Sequence, residues 1–158
     1  KNLSFSVRLE LLHEVLPEAK IIHLKRSPFF NIQSMVLAKR NHQIPANQLW
    51  STHPPAYERL LNLPEAEQIT KQYFSIEKEI ERNKHLFLPD RFISLNYEDF
   101  FSDAGKLVDD VRSFMHPDVA FRNQEPVRNL TDRNTLKLGR EEARQLQQII
   151  ENERDYEQ

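Results

Sequence analysis

The chain has 158 residues, 39% of them hydrophobic, with 22 Lys and Arg against 24 Asp and Glu and a net charge of −2. That length suits one domain or a large piece of one, and the charge balance lacks the basic excess of nucleic-acid-binding domains. The absence of cysteine excludes a disulfide framework, a thiolate metal site and a cysteine nucleophile, and no stretch approaches the roughly 18 consecutive apolar residues of a membrane span.

The first predicted strand is Ile21-Ile22-His23-Leu24, an apolar run too short for a free helix and suited to a buried parallel strand. It ends in the cationic turn Lys25-Arg26-Ser27-Pro28. Ser27 and Pro28 together form a helix start, Ser as a cap for an orphan amide and Pro at the first helical position. The helix is predicted to run to about Lys39. Its free amides and positive dipole end favour an anion, and Arg26 just before it offers a fork of donors matched to phosphate oxygens. Ser34 lies six residues beyond Pro28, roughly 9 Å along the axis at 1.5 Å per residue, where a hydroxyl can meet an anion that a long Arg side chain also reaches. The simpler alternative has Arg26 pairing with a surface carboxylate such as Glu18 and Ser34 back-bonding within its helix.

Residues 41–55 contain Pro45, Pro54 and Pro55 and are expected to be a loop, with Trp50 and Tyr57 in or next to it. Pro64 opens a long helix to about Lys84, in which Ile69, Tyr73, Ile76 and Ile80 recur at core spacing while the other face is charged. Phe92 to Tyr97 is the second strand, followed by a helix marked by Leu107, Val111 and Phe114. Tyr97 is expected to pack, and Glu98 and Asp99 to cap the turn after that strand. Residues 117–137 show no period. A last helix, about Arg140 to Tyr156, carries Glu141 and Glu142 at its positive end and buries Leu146, Ile149 and Ile150. His13 and His23 have no carboxylates at metal-ligand spacing, so no metal site is expected, and His23 is expected to be a buried imidazole. Two strands, each followed by a helix and joined by a long helical crossover, predict a parallel α/β sheet. Two strands alone leave its edges and faces uncovered, which suggests that more strands belong to it.

Arg26-Ser27-Pro28 with Ser34 resembles the segment by which sulfotransferases grip the 3′-phosphate of 3′-phosphoadenosine 5′-phosphosulfate (PAPS), an Arg at a strand end with a Ser eight residues later. The flanks are similar as well. Residues 7–20 resemble the helix and short turn that precede this strand in bacterial and Golgi-type members, Phe92 to Phe100 the strand and Tyr-Glu-Asp turn, and Ala104 to Met115 the helix after it. The resemblance spans most of residues 1–115. It implies a P-loop-like α/β sulfotransferase fold, with residues 1–158 the C-terminal portion of a single domain whose N-terminal part is absent. The family's sulfonate-binding glycine loop has no counterpart, because the only glycines are Gly105 and Gly139.

By resemblance, Arg26 and Ser34 bind the co-substrate PAPS and its product 3′-phosphoadenosine 5′-phosphate, and Lys1 matches a family lysine near the sulfonate. Cytosolic members carry Lys-Thr-His where this chain reads Lys1-Asn2-Leu3, so no histidine base is supplied there. The resemblance implies a PAPS-dependent transferase acting on a small-molecule, carbohydrate or peptide acceptor through a hydroxyl or amine. It implies the cytoplasm, or the Golgi lumen if an anchor precedes this segment. One of the late cations Arg128, Arg133, Lys137 and Arg140 is a further candidate for phosphate. The alternatives are a nucleotide-binding pseudoenzyme and a helical protein-interaction domain.

Overall fold

A computed structural model of the chain describes residues 3–116 and 127–155. After a 3-10 segment (Leu3–Val7) come α1 (Leu9–Val15), β1 (Ile21–Lys25), α2 (Pro28–Asn41), α3 (Glu65–Asn83), β2 (Phe92–Asn96), the short α4 (Asp99–Ser102), α5 (Ala104–Met115) and α6 (Arg140–Asp155), with further 3-10 segments at Tyr57–Leu60 and Lys84–Leu86. The expected elements are present with ends shifted by a residue or two; Tyr156, given to the last helix, lies outside the described residues.

β1 and β2 pair in parallel, Ile21 opposite Phe92 through Lys25 opposite Asn96. Antiparallel strands could be joined by a tight turn, but parallel ones need a crossover, and α2, the 42–64 loop and α3 supply it. The described sheet has these two strands only. Along β1 the side chains alternate: Ile21, His23 and Lys25 are half-buried, while Ile22 and Leu24 are 41% and 45% exposed. One face of the strand therefore packs on helices and the other is open.

Two apolar clusters hold the helices. In the first, Ile32 and Val36 of α2 meet Ile69, Tyr73 and Phe74 of α3 and Ala143, Leu146 and Ile150 of α6. In the second, Leu9 and Leu12 of α1 meet Ile80 of α3 and Phe87, flanked by Ile21 and Phe92. Helix α3 is long enough to serve both, about 28 Å for its 19 residues. The predicted stripe is buried at Ile69, Tyr73 and Ile80 and half-buried at Ile76, and Leu146 and Ile150 are buried on α6 with Ile149 half-buried.

Polar burial on α3 goes beyond the predicted stripe. Gln68, Thr70 and Gln72 are fully buried. Gln68 donates to the carbonyls of Ala46, Leu60 and Leu61 at 3.1, 3.1 and 3.3 Å, and Gln72 to those of Trp50 and Thr52, both at 2.7 Å. The loop after α2 thus has its backbone satisfied by two side chains one helical turn apart. Lys39, also buried, donates to Gln68 Oε1 and to the Ala46 carbonyl, and its burial lowers its affinity for a proton against the opposing pull of Glu65. Trp50 stacks on His42 with ring centroids 4.4 Å apart. Among the described residues no helix is long and apolar enough to cross a membrane.

Candidate functional site

In-register parallel pairing places the residues that follow the two strands side by side. Lys25 and Asn96 are partners, the Tyr97 amide donates to the Lys25 carbonyl at 2.6 Å, and Arg26 and Tyr97 emerge together at the carboxyl ends of the sheet. That end of an α/β sheet is where loops form binding crevices. A cleft of about 460 Å³ opens there, its wall including Lys25, Arg26, Ser27, Tyr73, Glu77 and Glu98.

The Arg26 side chain is fixed on three sides. Its guanidinium carbon sits 5.0 Å from the centroid of the Tyr97 ring, its Nε donates to Asn134 Oδ1 at 2.9 Å, and its Nη1 donates to Ser34 Oγ at 3.2 Å. Arg26 and Ser34, singled out by their spacing, are thus brought together. Ser34 Oγ also donates to the Phe30 carbonyl at 2.8 Å, the back-bond expected of a helical serine. Arg26 Nη2 has no protein partner among the described residues, so the fork keeps an open prong. The alternative pairing with Glu18 does not occur: Glu18 pairs with Arg91 at 2.5 Å. Behind the turn, the Tyr73 hydroxyl lies 3.5 Å from the Arg26 carbonyl; burial first, then Glu77, push its pKa well above the ordinary phenol value, so it stays protonated.

The start of α2 differs from the sequence expectation. Ser27 occupies the cap position but its hydroxyl makes no cap bond. Glu98 reaches the cap residue itself from across the sheet: its Oε1 accepts from the Ser27 amide at 3.0 Å and from Asn134 Nδ2 at 2.8 Å. A helix start favours a carboxylate, and the strand pairing delivers one. Partial burial pushes the Glu98 carboxyl upward, but the hydrogen bonds from Ser27 and Asn134 and the nearby Arg26 charge outweigh it and hold the group below the usual range. The chain's own carboxylate thus sits at the Ser27 amide, beside the start of α2. Of the turn after β2, Tyr97 packs as expected, against Phe100 and Phe101, while Glu98 reaches α2 instead of capping its own turn.

Residues 127–138 cross this site as an irregular strap. Asn129 accepts from the Ala104 amide at 2.9 Å and donates to the Ser102 carbonyl at 3.1 Å, and the Leu130 amide donates to the Phe100 carbonyl at 2.8 Å. At the other end the buried Gln33, neighbour of Ser34 on α2, donates to the Thr135 carbonyl at 2.9 Å and accepts from the amides of Lys137 and Leu138 at 2.8 and 3.3 Å. Between them Asp132 accepts from the Asn134 amide two residues on, at 2.7 Å, a local turn that presents the Asn134 side chain. Periodicity could not find Gln33 or Asn134, because side chains that bind irregular backbone follow no period. The available signal was the run Asn129, Asp132, Asn134. Arg128, Arg133, Lys137 and Arg140 are exposed. Lys1 lies outside the described residues.

Next to the cleft, Lys25 donates to Glu81 at 2.8 Å and Lys84 bonds its other oxygen. The Lys25 and Lys84 hydrogen bonds, opposed by partial burial, hold the Glu81 carboxyl at about 2. A depressed carboxylate contributes stability that is present above its unfolded value, 4.5, and lost as pH falls toward 2. With Lys25 38% and Glu81 40% exposed, solvent screens the contribution to a small one. In thermal melts taken from about pH 5 down to about pH 2, Glu81→Gln is expected to flatten the parent's decline; parallel decline of both proteins would contradict this. His23 was expected to be buried and is half-buried, its Nε2 3.4 Å from Glu77 and its ring edge-on to Phe92.

Residues 1–123 match the family model described as the sulfotransferase family. Two curated relatives, from Mycobacterium bovis (strain ATCC BAA-935 / AF2122/97) and Mycobacterium tuberculosis (strain CDC 1551 / Oshkosh), are both named omega-hydroxy-beta-dihydromenaquinone-9 sulfotransferase Stf3. Each is 30% identical to this chain over 104 residues, 65% of this chain and 24% of the relative. The chain thus spans about a quarter of the length of these relatives. No solved structure gives a significant match.

Proposed function

Because this chain belongs to the sulfotransferase family, we propose that it supplies the 3′-phosphate site of an enzyme that transfers a sulfuryl group from PAPS to a hydroxyl or amine acceptor. The observation that carries the proposal is the convergence of Arg26 Nη1 on Ser34 Oγ at 3.2 Å, with Nη2 unclaimed. The Arg26 fork, charged and stacked on an aromatic ring, suits a phosphate's several acceptor oxygens, and Ser34 joins it when its one hydroxyl proton turns from the Phe30 carbonyl to the anion. Arg26 and Ser34 act at a distance from the reacting sulfur: they fix one end of the donor so that its other end meets the acceptor in line.

Lys1 is proposed to steady negative charge on the transferring group. The acceptor's proton passes to a base supplied elsewhere in the domain. The two relatives are named for a hydroxylated dihydromenaquinone, which makes a hydroxyl the first acceptor class to try here. Residues 1–158 are proposed to be the C-terminal portion of a P-loop-like domain. The exposed Ile22 and Leu24 and the edge of β1 that no strand pairs among the described residues support this, because a parallel sheet is normally covered on both faces.

Incubation of the full-length protein with sulfur-35-labelled PAPS and a panel of hydroxylated acceptors tests the proposal. Label is expected on an acceptor, with 3′-phosphoadenosine 5′-phosphate released. Nucleotide binding with no transfer to any acceptor would instead favour a pseudoenzyme, and no binding at all would favour a helical interaction domain.

A further inference from the structure

Arg26 and Glu98, opposite charges at neighbouring strand ends, feel one another electrostatically yet form no direct ion pair. One side chain stands between them. Asn134 Oδ1 accepts from Arg26 Nε at 2.9 Å while its Nδ2 donates to Glu98 Oε1 at 2.8 Å. Only one amide orientation satisfies both neighbours, since the guanidinium can only donate and the ionised carboxylate can only accept. Asn134 is itself held by Asp132 and by the Gln33 clamp at residues 135–138. It lies beyond residues 1–123, the part that matches the family.

We infer that Asn134 is a spacer that keeps Arg26 from closing onto Glu98 and so preserves the guanidinium for an anionic ligand. The inference rests on the nucleotide reading proposed above. A neutral amide does this where few other side chains can: it bonds to both charges, neutralises neither, and fills the gap with a rigid planar group. Without it nothing separates the two opposite charges that one carboxamide now bridges. The fork would then be spent on an internal carboxylate. Asn134 is a positioning residue, and it touches no reacting atom.

The test is a double-mutant cycle read by calorimetric affinity of the full-length protein for 3′-phosphoadenosine 5′-phosphate. Asn134→Ala is expected to weaken binding about five- to tenfold when Glu98 is present, and by less than about twofold in a Glu98→Gln background, where no carboxylate remains to capture Arg26. A purely structural or direct ligand-binding role would give the same loss in both backgrounds, and that result, or no loss in either, overturns the inference. Should Asn134→Ala fail to fold, Asn134→Ser, too short to bridge both charges, is put through the same cycle and decided by the same two outcomes. Arg26→Ala separates the two levels. If it leaves affinity unchanged, the nucleotide reading itself fails; if it weakens binding while Asn134→Ala does not, only the spacer fails.

Discussion

Replacing Arg26 by alanine is expected to weaken binding of PAPS and of 3′-phosphoadenosine 5′-phosphate by about 10- to 150-fold, the loss of a charge-assisted contact of about 1.5–3 kcal/mol. The size follows from how the side chain is held. Tyr97 beneath the guanidinium, Asn134 on Nε and Ser34 on Nη1 fix its position before any ligand arrives, so little ordering entropy opposes binding. Lysine at this position keeps the charge but loses the fork, the Nε bond and planar stacking, so Arg26→Lys should recover only part of the affinity. Ser34→Ala removes a neutral donor and should cost about two- to tenfold. Isothermal calorimetry on the full-length protein reads all three, and equal affinity in Arg26→Ala and parent would remove Arg26 from the site. Because the side chain is half-buried and its partners lie near the surface, the same substitution should leave the fold intact.

The largest stability effect is expected at Gln68. Its amide nitrogen faces three carbonyls of the 42–64 loop, and its oxygen accepts from the buried ammonium of Lys39. Gln68→Leu keeps the bulk and removes every bond. Lys39 is left with the Ala46 carbonyl alone, and the carbonyls of the half-buried Leu60 and Leu61 lose this donor. A buried group left unpaired costs about 1–3 kcal/mol, more for a charge, so we expect about 2–4 kcal/mol in urea unfolding, chiefly from Lys39. Gln147→Leu is the control. Gln147 is exposed on α6 and bonds only Glu151, and its replacement should change stability by less than about 0.5 kcal/mol. Similar losses at the two glutamines would contradict the role given to Gln68.

Gln68 also shows why part of the fold was legible in the sequence and part was not. The spacing of Ile69, Tyr73 and Ile80 gave α3 and its apolar stripe, because burial against neighbouring helices repeats with the helix period. The same rule assigned the rest of α3 to solvent. It missed Gln68 and Gln72, whose burial is stabilised by loop carbonyls that no local pattern announces. The site divides in the same way. Arg26 and Ser34 lie on one strand-turn-helix unit, so their separation is fixed locally and could be read from spacing. Glu98 and Asn134 reach that unit from 71 and 108 positions away in sequence, and Gln33, though next to Ser34, bonds strap residues 102 to 105 positions further on; a sheet register and a strap that the chain's periodicity does not encode make these contacts. Ser27 was assigned as the cap because the sequence shows only local candidates; its hydroxyl makes no cap bond, and its amide is met by Glu98 from the turn after β2.

The most direct test of the whole account is to delete the phosphate instead of the arginine. Full-length protein is titrated in a calorimeter with 3′-phosphoadenosine 5′-phosphate and with adenosine 5′-phosphate, which lacks only the 3′ group, in parent and in Arg26→Ala. The parent is expected to prefer the bisphosphate by about tenfold or more, and the preference should vanish in the variant. Equal binding of the two nucleotides by the parent, or a preference that survives the loss of Arg26, would contradict the assignment of Arg26 and Ser34 to the 3′-phosphate.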